Sequence, residues 1–218
     1  MAPWVLHLRV AELVGGFLGV KDEREYYVGS VAPDSGSMPT PFSYIPPKDV
    51  SHWKIEGIPF DERLSMNGRI FDEYIKFEKD GKKKAFYLGY YVHILTDSYF
   101  VRDVIAPYIK EHGRDFWHEN IDTIRGGWYE LDYRFLERAE NFRPLEILGE
   151  VDDFPNIYFD YFGKDDITDR VKGACKLYKE NKSDKTLPLM TISESGCENF
   201  VKYVTEEIIN ILKTKMGA

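Results

Sequence analysis

A histidine and an aspartate stand four residues apart in the run Phe86-Tyr-Leu-Gly-Tyr-Tyr-Val-His93-Ile-Leu-Thr-Asp97. On a helix this spacing projects both side chains from one face, one turn apart. An imidazole nitrogen and a carboxylate oxygen so placed converge on one ion, as in helical metalloenzyme motifs. Almost all the neighbours are apolar, which predicts a buried face. A buried carboxylate is costly unless it is paired or bound to a metal. A His–Asp hydrogen bond inside a helical core would satisfy the same pattern, so the pair by itself leaves a structural and a metal reading open.

The chain has five histidines: His7, His52, His93, His112 and His118. His7 follows Trp4 by three residues in an apolar-periodic stretch. His52 lies in Pro46-Pro47-Lys-Asp-Val-Ser-His52-Trp53, and Asp34 ends Tyr27-Val-Gly-Ser-Val-Ala-Pro-Asp34. Each of these alone reads as a core histidine or a turn residue. His112, beside Gly113, reads as a helix-end residue that complements the C-terminal dipole and is given no further role.

The elements that must carry these groups are helical. Apolar spacing predicts helices over 4–18, 22–30, 61–78, 84–101, 103–111, 114–139, 165–182 and 193–215. Gly126-Gly127 is a candidate break or bend within 114–139. The stretch 32–59 holds Pro33, Gly36, Pro39, Pro41, Pro46, Pro47, Gly57 and Pro59 and predicts a long irregular loop. Its Phe42, Tyr44, Ile45 and Trp53 favour an ordered loop, and ordered loops of that length are commonly functional. The aromatic-rich run 154–163 reads as core, pocket lid or interface. Strand patterns are sparse. The expectation is an all-α single domain spanning 1–218, with about six to eight helices packed by the rules of helix assemblies.

The 43% hydrophobic content of 218 residues is enough for one large core. Net charge is −8, which argues against binding a nucleic-acid backbone through broad positive charge. Such a balance still admits a metal-centred enzyme with a phosphorylated substrate, because the ion supplies local positive charge. Cys175 and Cys197 show no metal-ligand spacing. Residues 1–20 carry His7, Arg9 and Glu12, too interrupted for a signal or spanning segment, and no later stretch reaches transmembrane length. A cytoplasmic protein is expected.

Taken in order, four motifs are similar to those of the zinc-dependent phospholipase C family. They are His7-x3-Ala11-Glu12, the Ala-Pro-Asp34 run, Pro46-Pro47-x4-His52-Trp53, and the run from Phe86 to Asp97. They resemble most closely its short cytoplasmic bacterial members, and they cover about residues 4–100. The resemblance implies an all-α, phospholipase C/nuclease-like fold with a metal site between helices. It implies Asp34, His52, His93 and Asp97 as ligands of one zinc ion, and His7 as ligand of a neighbouring ion with Asp97 as a bridge. Two imidazoles and two carboxylates suit Zn²⁺, and Fe or Mn would also accept them.

The chain departs from the family at several positions. The family's free amino-terminal Trp is a ligand, whereas Trp4 is internal. Where the family has a third-metal histidine, this chain has Asp103, and the family's HxxxE pair is approximated by His118-Glu-Asn-Ile-Asp122. Asp103, His118, Asp122 and Asp132 are therefore the candidates for a second metal site. Tyr44, Trp53, Tyr90 and Tyr91 are substrate-pocket candidates, although core packing would use the same residues. The function implied is a metal-dependent hydrolase of a small phosphoester, using a metal-activated water that Asp34 orients or deprotonates. The alternatives are a non-catalytic protein with a structural metal, and a single-strand nuclease-like activity.

Overall fold

The computed structural model describes residues 2–40, 43–53 and 57–217. The chain is all-α. α1 (Trp4–Leu18) and α2 (Glu23–Val31) are followed by a 3-10 turn at Ala32–Asp34. A two-stranded antiparallel hairpin, β1 (Ser37–Thr40) and β2 (Ser43–Ile45), then leads to the short α3 (Lys48–Ser51). α4 (Phe60–Ile70) continues into a π turn at Phe71–Ile75. α5 (Gly81–Phe100) likewise ends in a π turn at Val101–Ile105. α6 (Ala106–His112), α7 (Arg114–Glu119), α8 (Ile121–Arg138), α9 (Arg143–Gly149), α10 (Asp166–Glu180) and α11 (Glu194–Met216) complete the chain.

α5 is the axis of the molecule. Every residue from Ala85 to Phe100 is buried, the pattern of a helix enclosed on all sides. Asp80 caps its start, the carboxylate accepting from the Lys82 and Lys83 amides. α2 packs along it at a crossing too close for side chains. A Cβ on Gly29 would lie 2.1 Å from the Phe86 carbonyl oxygen, and one on Gly89 would lie 2.0 Å from that of Tyr26. Two glycines facing opposite backbones thus set the spacing of α2 and α5. α1 packs on α2, α5 and α11, and one continuous core runs from Val5 to Leu212.

Two local expectations are corrected and a third, left open among three readings, is resolved. The predicted helix over 114–139 breaks at Asn120 (φ −110°), where the α7 helix ends, and passes unbroken through Gly126-Gly127. Gly127 is instead a contact point, since a Cβ there would lie 2.5 Å from the Pro188 carbonyl oxygen. The 32–59 segment contains the hairpin that the sparse strand signal did not predict. The aromatic run 154–163 is core: Phe154, Phe159 and Phe162 are buried, and Tyr158 stacks on Phe86 with ring centroids 3.6 Å apart. No described helix is long and apolar enough to cross a membrane.

Candidate metal centre and adjoining cleft

His7, Asp34, His52, His93 and Asp97 come together although they arise from α1, the 3-10 turn, the end of α3 and α5. All five are buried. The α2–α5 crossing places the last turn of α2 over His93, whose Nδ1 donates to the Ser30 carbonyl oxygen at 2.8 Å. A carbonyl only accepts, so the proton sits on Nδ1 and the Nε2 lone pair faces the cluster. His93 Nε2 has no hydrogen-bond partner among the described residues, and neither ring nitrogen of His7 has one. The His7 and His93 rings stack, centroids 3.8 Å apart and planes 7° from parallel. Burial, and next the neighbouring His7, lower the His93 pKa well below the usual histidine range.

The separations suit coordination better than hydrogen bonding. His7 Nε2 is 3.4 Å from Asp97 Oδ1, and His52 Nε2 is 3.4 Å from Asp34 Oδ1 and 3.6 Å from Asp97 Oδ2. Donors about 2.0–2.1 Å from a tetrahedral ion lie about 3.3 Å from one another, close to these edges. The potential donors form two groups, His7–His93–Asp97 and Asp34–His52–His93, each with its atoms mutually within 4.8 Å. Both groups contain His93, whose one free lone pair serves one ion. The arrangement therefore admits one ion with a choice of donors, or two ions of which only one takes His93.

The surrounding chain holds the donors in place. The Ala2 amide donates to Asp97 Oδ1 at 2.9 Å. Tyr90 Oη donates to the Ser51 carbonyl oxygen, and Ser51 Oγ lies 3.0 Å from His52 Nδ1, so α5 anchors the loop that carries His52. Asp34 accepts from Trp4 Nε1 on Oδ2 and from Lys48 Nζ on Oδ1, both at 2.7 Å. Burial pushes the Asp34 pKa up, but Lys48, His52 and His93 together outweigh it and hold the carboxyl well below its ordinary range. Among the five donors, Asp34 lines a cleft of about 670 Å³ bordered by Trp4, Tyr44 and Lys48 on one side and α7 and α8 on the other.

Other predicted site residues fall elsewhere. Asp103 is bound to the guanidinium of its neighbour Arg102. His118 is exposed and lines the cleft, while Asp122 is exposed beyond the Asn120 break, so the two do not form the expected pair on one helix. Asp132 is buried and accepts from the Val5 amide at 3.0 Å and from Tyr178 Oη at 2.5 Å. It caps the start of α1. Burial raises its pKa to about 7, the Tyr178 and Val5 hydrogen bonds opposing the shift. Among the described residues, neither donor group includes Asp103, His118, Asp122 or Asp132.

Of the four aromatic pocket candidates, Tyr44 lines the cleft. Tyr90 and Tyr91 are fully buried core residues. Trp53 packs edge-on against Tyr74 with Nε1 3.4 Å from Tyr161 Oη, away from the cleft. His112 stacks on Tyr108 at the end of α6, as expected of a helix-end residue. Lys48, Arg125 and Arg170 on the cleft wall were not singled out from the sequence. The one available signal was a lysine four residues before His52. No family model, curated protein or solved structure matches this chain.

Proposed function

We propose that this protein is a metal-dependent hydrolase of small phosphoesters, similar in its site to the zinc-dependent phospholipase C family. The observation that carries the reading is the convergence of five buried His and Asp side chains with donor separations near 3.4 Å. Apolar packing offers no substitute partner for the inward lone pair of His93, so the donor chemistry fits a divalent ion. His7, Asp34, His52, His93 and Asp97 would hold it, with zinc the best match and iron or manganese acceptable. Once bound, such an ion supplies a Lewis acid that polarises a phosphoryl oxygen and acidifies water.

The chain's own contribution begins at Asp34, the donor that reaches the cleft. Both of its oxygens already accept hydrogen bonds, so it acts as a fixed acceptor that orients rather than swings. Lys48 brings a cation to the same carboxylate and to the cleft wall, where a phosphoryl group would approach. The remaining donors sit behind Asp34, and their burial excludes bulk water from them.

That same burial favours a second reading, in which the ion is enclosed and only stabilises the helices. Elemental analysis of the purified protein, with assays on p-nitrophenyl phosphate and bis(p-nitrophenyl) phosphate, separates the two. Hydrolysis that stops on chelation and returns with zinc supports the enzyme. Bound metal that raises Tm without hydrolysis supports the structural ion. A folded protein that holds no metal and refuses added zinc refutes both.

A further inference from the structure

The cleft differs in charge from the rest of the chain. The chain carries −8 overall, yet Lys48 from α3, Arg125 from α8 and Arg170 from α10 line one cleft. The one carboxylate on its described wall, Asp34, is already bonded to Trp4 and Lys48. Most arginines elsewhere are matched to acids, as in Arg9–Glu198, Arg102–Asp103, Arg134–Glu130 and Arg143–Glu23. Arg125 and Arg170 form no such ion pair among the described residues. The Arg170 guanidinium lies over the Trp4 ring at 5.1 Å, and its Nε is buried without a hydrogen-bond partner among the described residues. Guanidinium groups left unmatched beside a hydrolytic site are suited to phosphate oxygens, which they bind by paired, charge-assisted hydrogen bonds.

The wall between the cations is aromatic. Three of the chain's four tryptophans, Trp4, Trp117 and Trp128, line this cleft, with Tyr129 beside them. A volume of about 670 Å³ lies within the range of small-molecule pockets, about 300–1,000 Å³. Three cations less the ionised Asp34 leave a net +2 on the described wall. That is more than the single charge of a phosphodiester requires and a match for a phosphomonoester, which carries about −1.5 to −2 at neutral pH on three acceptor oxygens.

We propose that the cleft binds a small phosphomonoester with a flat apolar alcohol, its phosphate held by Lys48, Arg125 and Arg170 and its ring against the tryptophans. This substrate class rests on the hydrolase reading, but the binding it requires can be measured separately. The probe is phenylphosphonate, which cannot be hydrolysed as an ester. It is titrated into the purified protein with tryptophan fluorescence as readout, beside its monoanionic ethyl ester and inorganic phosphate. Metal content is measured on the same samples.

The expected result is saturable binding, about tenfold tighter for phenylphosphonate than for the ethyl ester or for phosphate, a difference of about 1.4 kcal/mol. Arg125→Gln and Arg170→Gln should each weaken it by about tenfold with metal content unchanged, and Arg170→Lys should retain part of it. Arg125 is exposed, so its variant tests the site without disturbing the core. No saturable binding, or an affinity unchanged from the parent in both glutamine variants, overturns the proposal even where metal is present. Arginine-dependent binding by a protein that holds no metal supports the cleft and refutes the hydrolase reading alone.

Discussion

His93 is the residue on which the cluster turns. Its Nδ1 proton is committed to Ser30, so its Nε2 lone pair faces the donors of His7, Asp34 and Asp97, where it can accept a hydrogen bond or bind a cation. His93→Ala and Asp97→Asn should each reduce bound metal several-fold by elemental analysis, since each removes a potential donor from the cluster. His112→Ala, altering a helix-end stack, should leave it unchanged. Asp132 supports a separate prediction. Its carboxyl keeps a proton up to about pH 7 when folded, against an ordinary value of 3.8. Between those values the folded chain binds the extra proton, so this group's contribution to stability falls as pH rises toward 7 and levels off above it. Thermal denaturation from pH 5 to 8 should show a smaller decline in Tm for Asp132→Asn than for the parent.

At the scale of the element, the α2–α5 crossing explains how Ser30 reaches His93. Gly89 precedes His93 by one turn, and Gly29 immediately precedes Ser30, so both contact points sit beside the site. Gly89→Ala would drive a methyl group into the Tyr26 carbonyl, and neither backbone can yield without moving its helix. Overpacking of this kind costs about 1–3 kcal/mol, and here it should also lengthen the Ser30–His93 hydrogen bond. The expected outcome is a lower denaturation midpoint together with reduced metal content, whereas Gly16→Ala, with open space at its Cβ, should show neither. Helix positions were legible because apolar periodicity survives in long helices such as α1, α10 and α11, and because α5 is apolar along most of its length. The Asn120 break was not, since the residues on either side keep helical spacing.

For the molecule as a whole, an ion held by the cluster would cross-link α1, the 3-10 turn, α3 and α5, segments already joined by packing and by the Trp4–Asp34, Lys48–Asp34 and Tyr90–Ser51 hydrogen bonds. An ion that binds only the folded chain stabilises it by mass action, about 2.7 kcal/mol when free metal is a hundred times its dissociation constant. Chelation should lower Tm by several degrees, and zinc should restore it in a concentration-dependent way, as read by differential scanning calorimetry. In His93→Ala the same additions should shift Tm little.

The sequence by itself determined the all-α class, the place of most helices and the residue types able to hold a metal, because periodicity and side-chain chemistry are local properties. The pairing of His93 with Asp97 on one face was legible for that reason. The approach of His7, Asp34 and His52 could only be expected from the motifs of a resembling family, since no spacing rule relates groups on different elements. Tertiary structure alone decided that Asp132 caps α1, that Tyr90 and Tyr91 are core, and that Lys48, Arg125 and Arg170 share a cleft. Those outcomes depend on how helices cross, and the crossing is set by backbone contacts at glycines that leave no periodic mark in the chain.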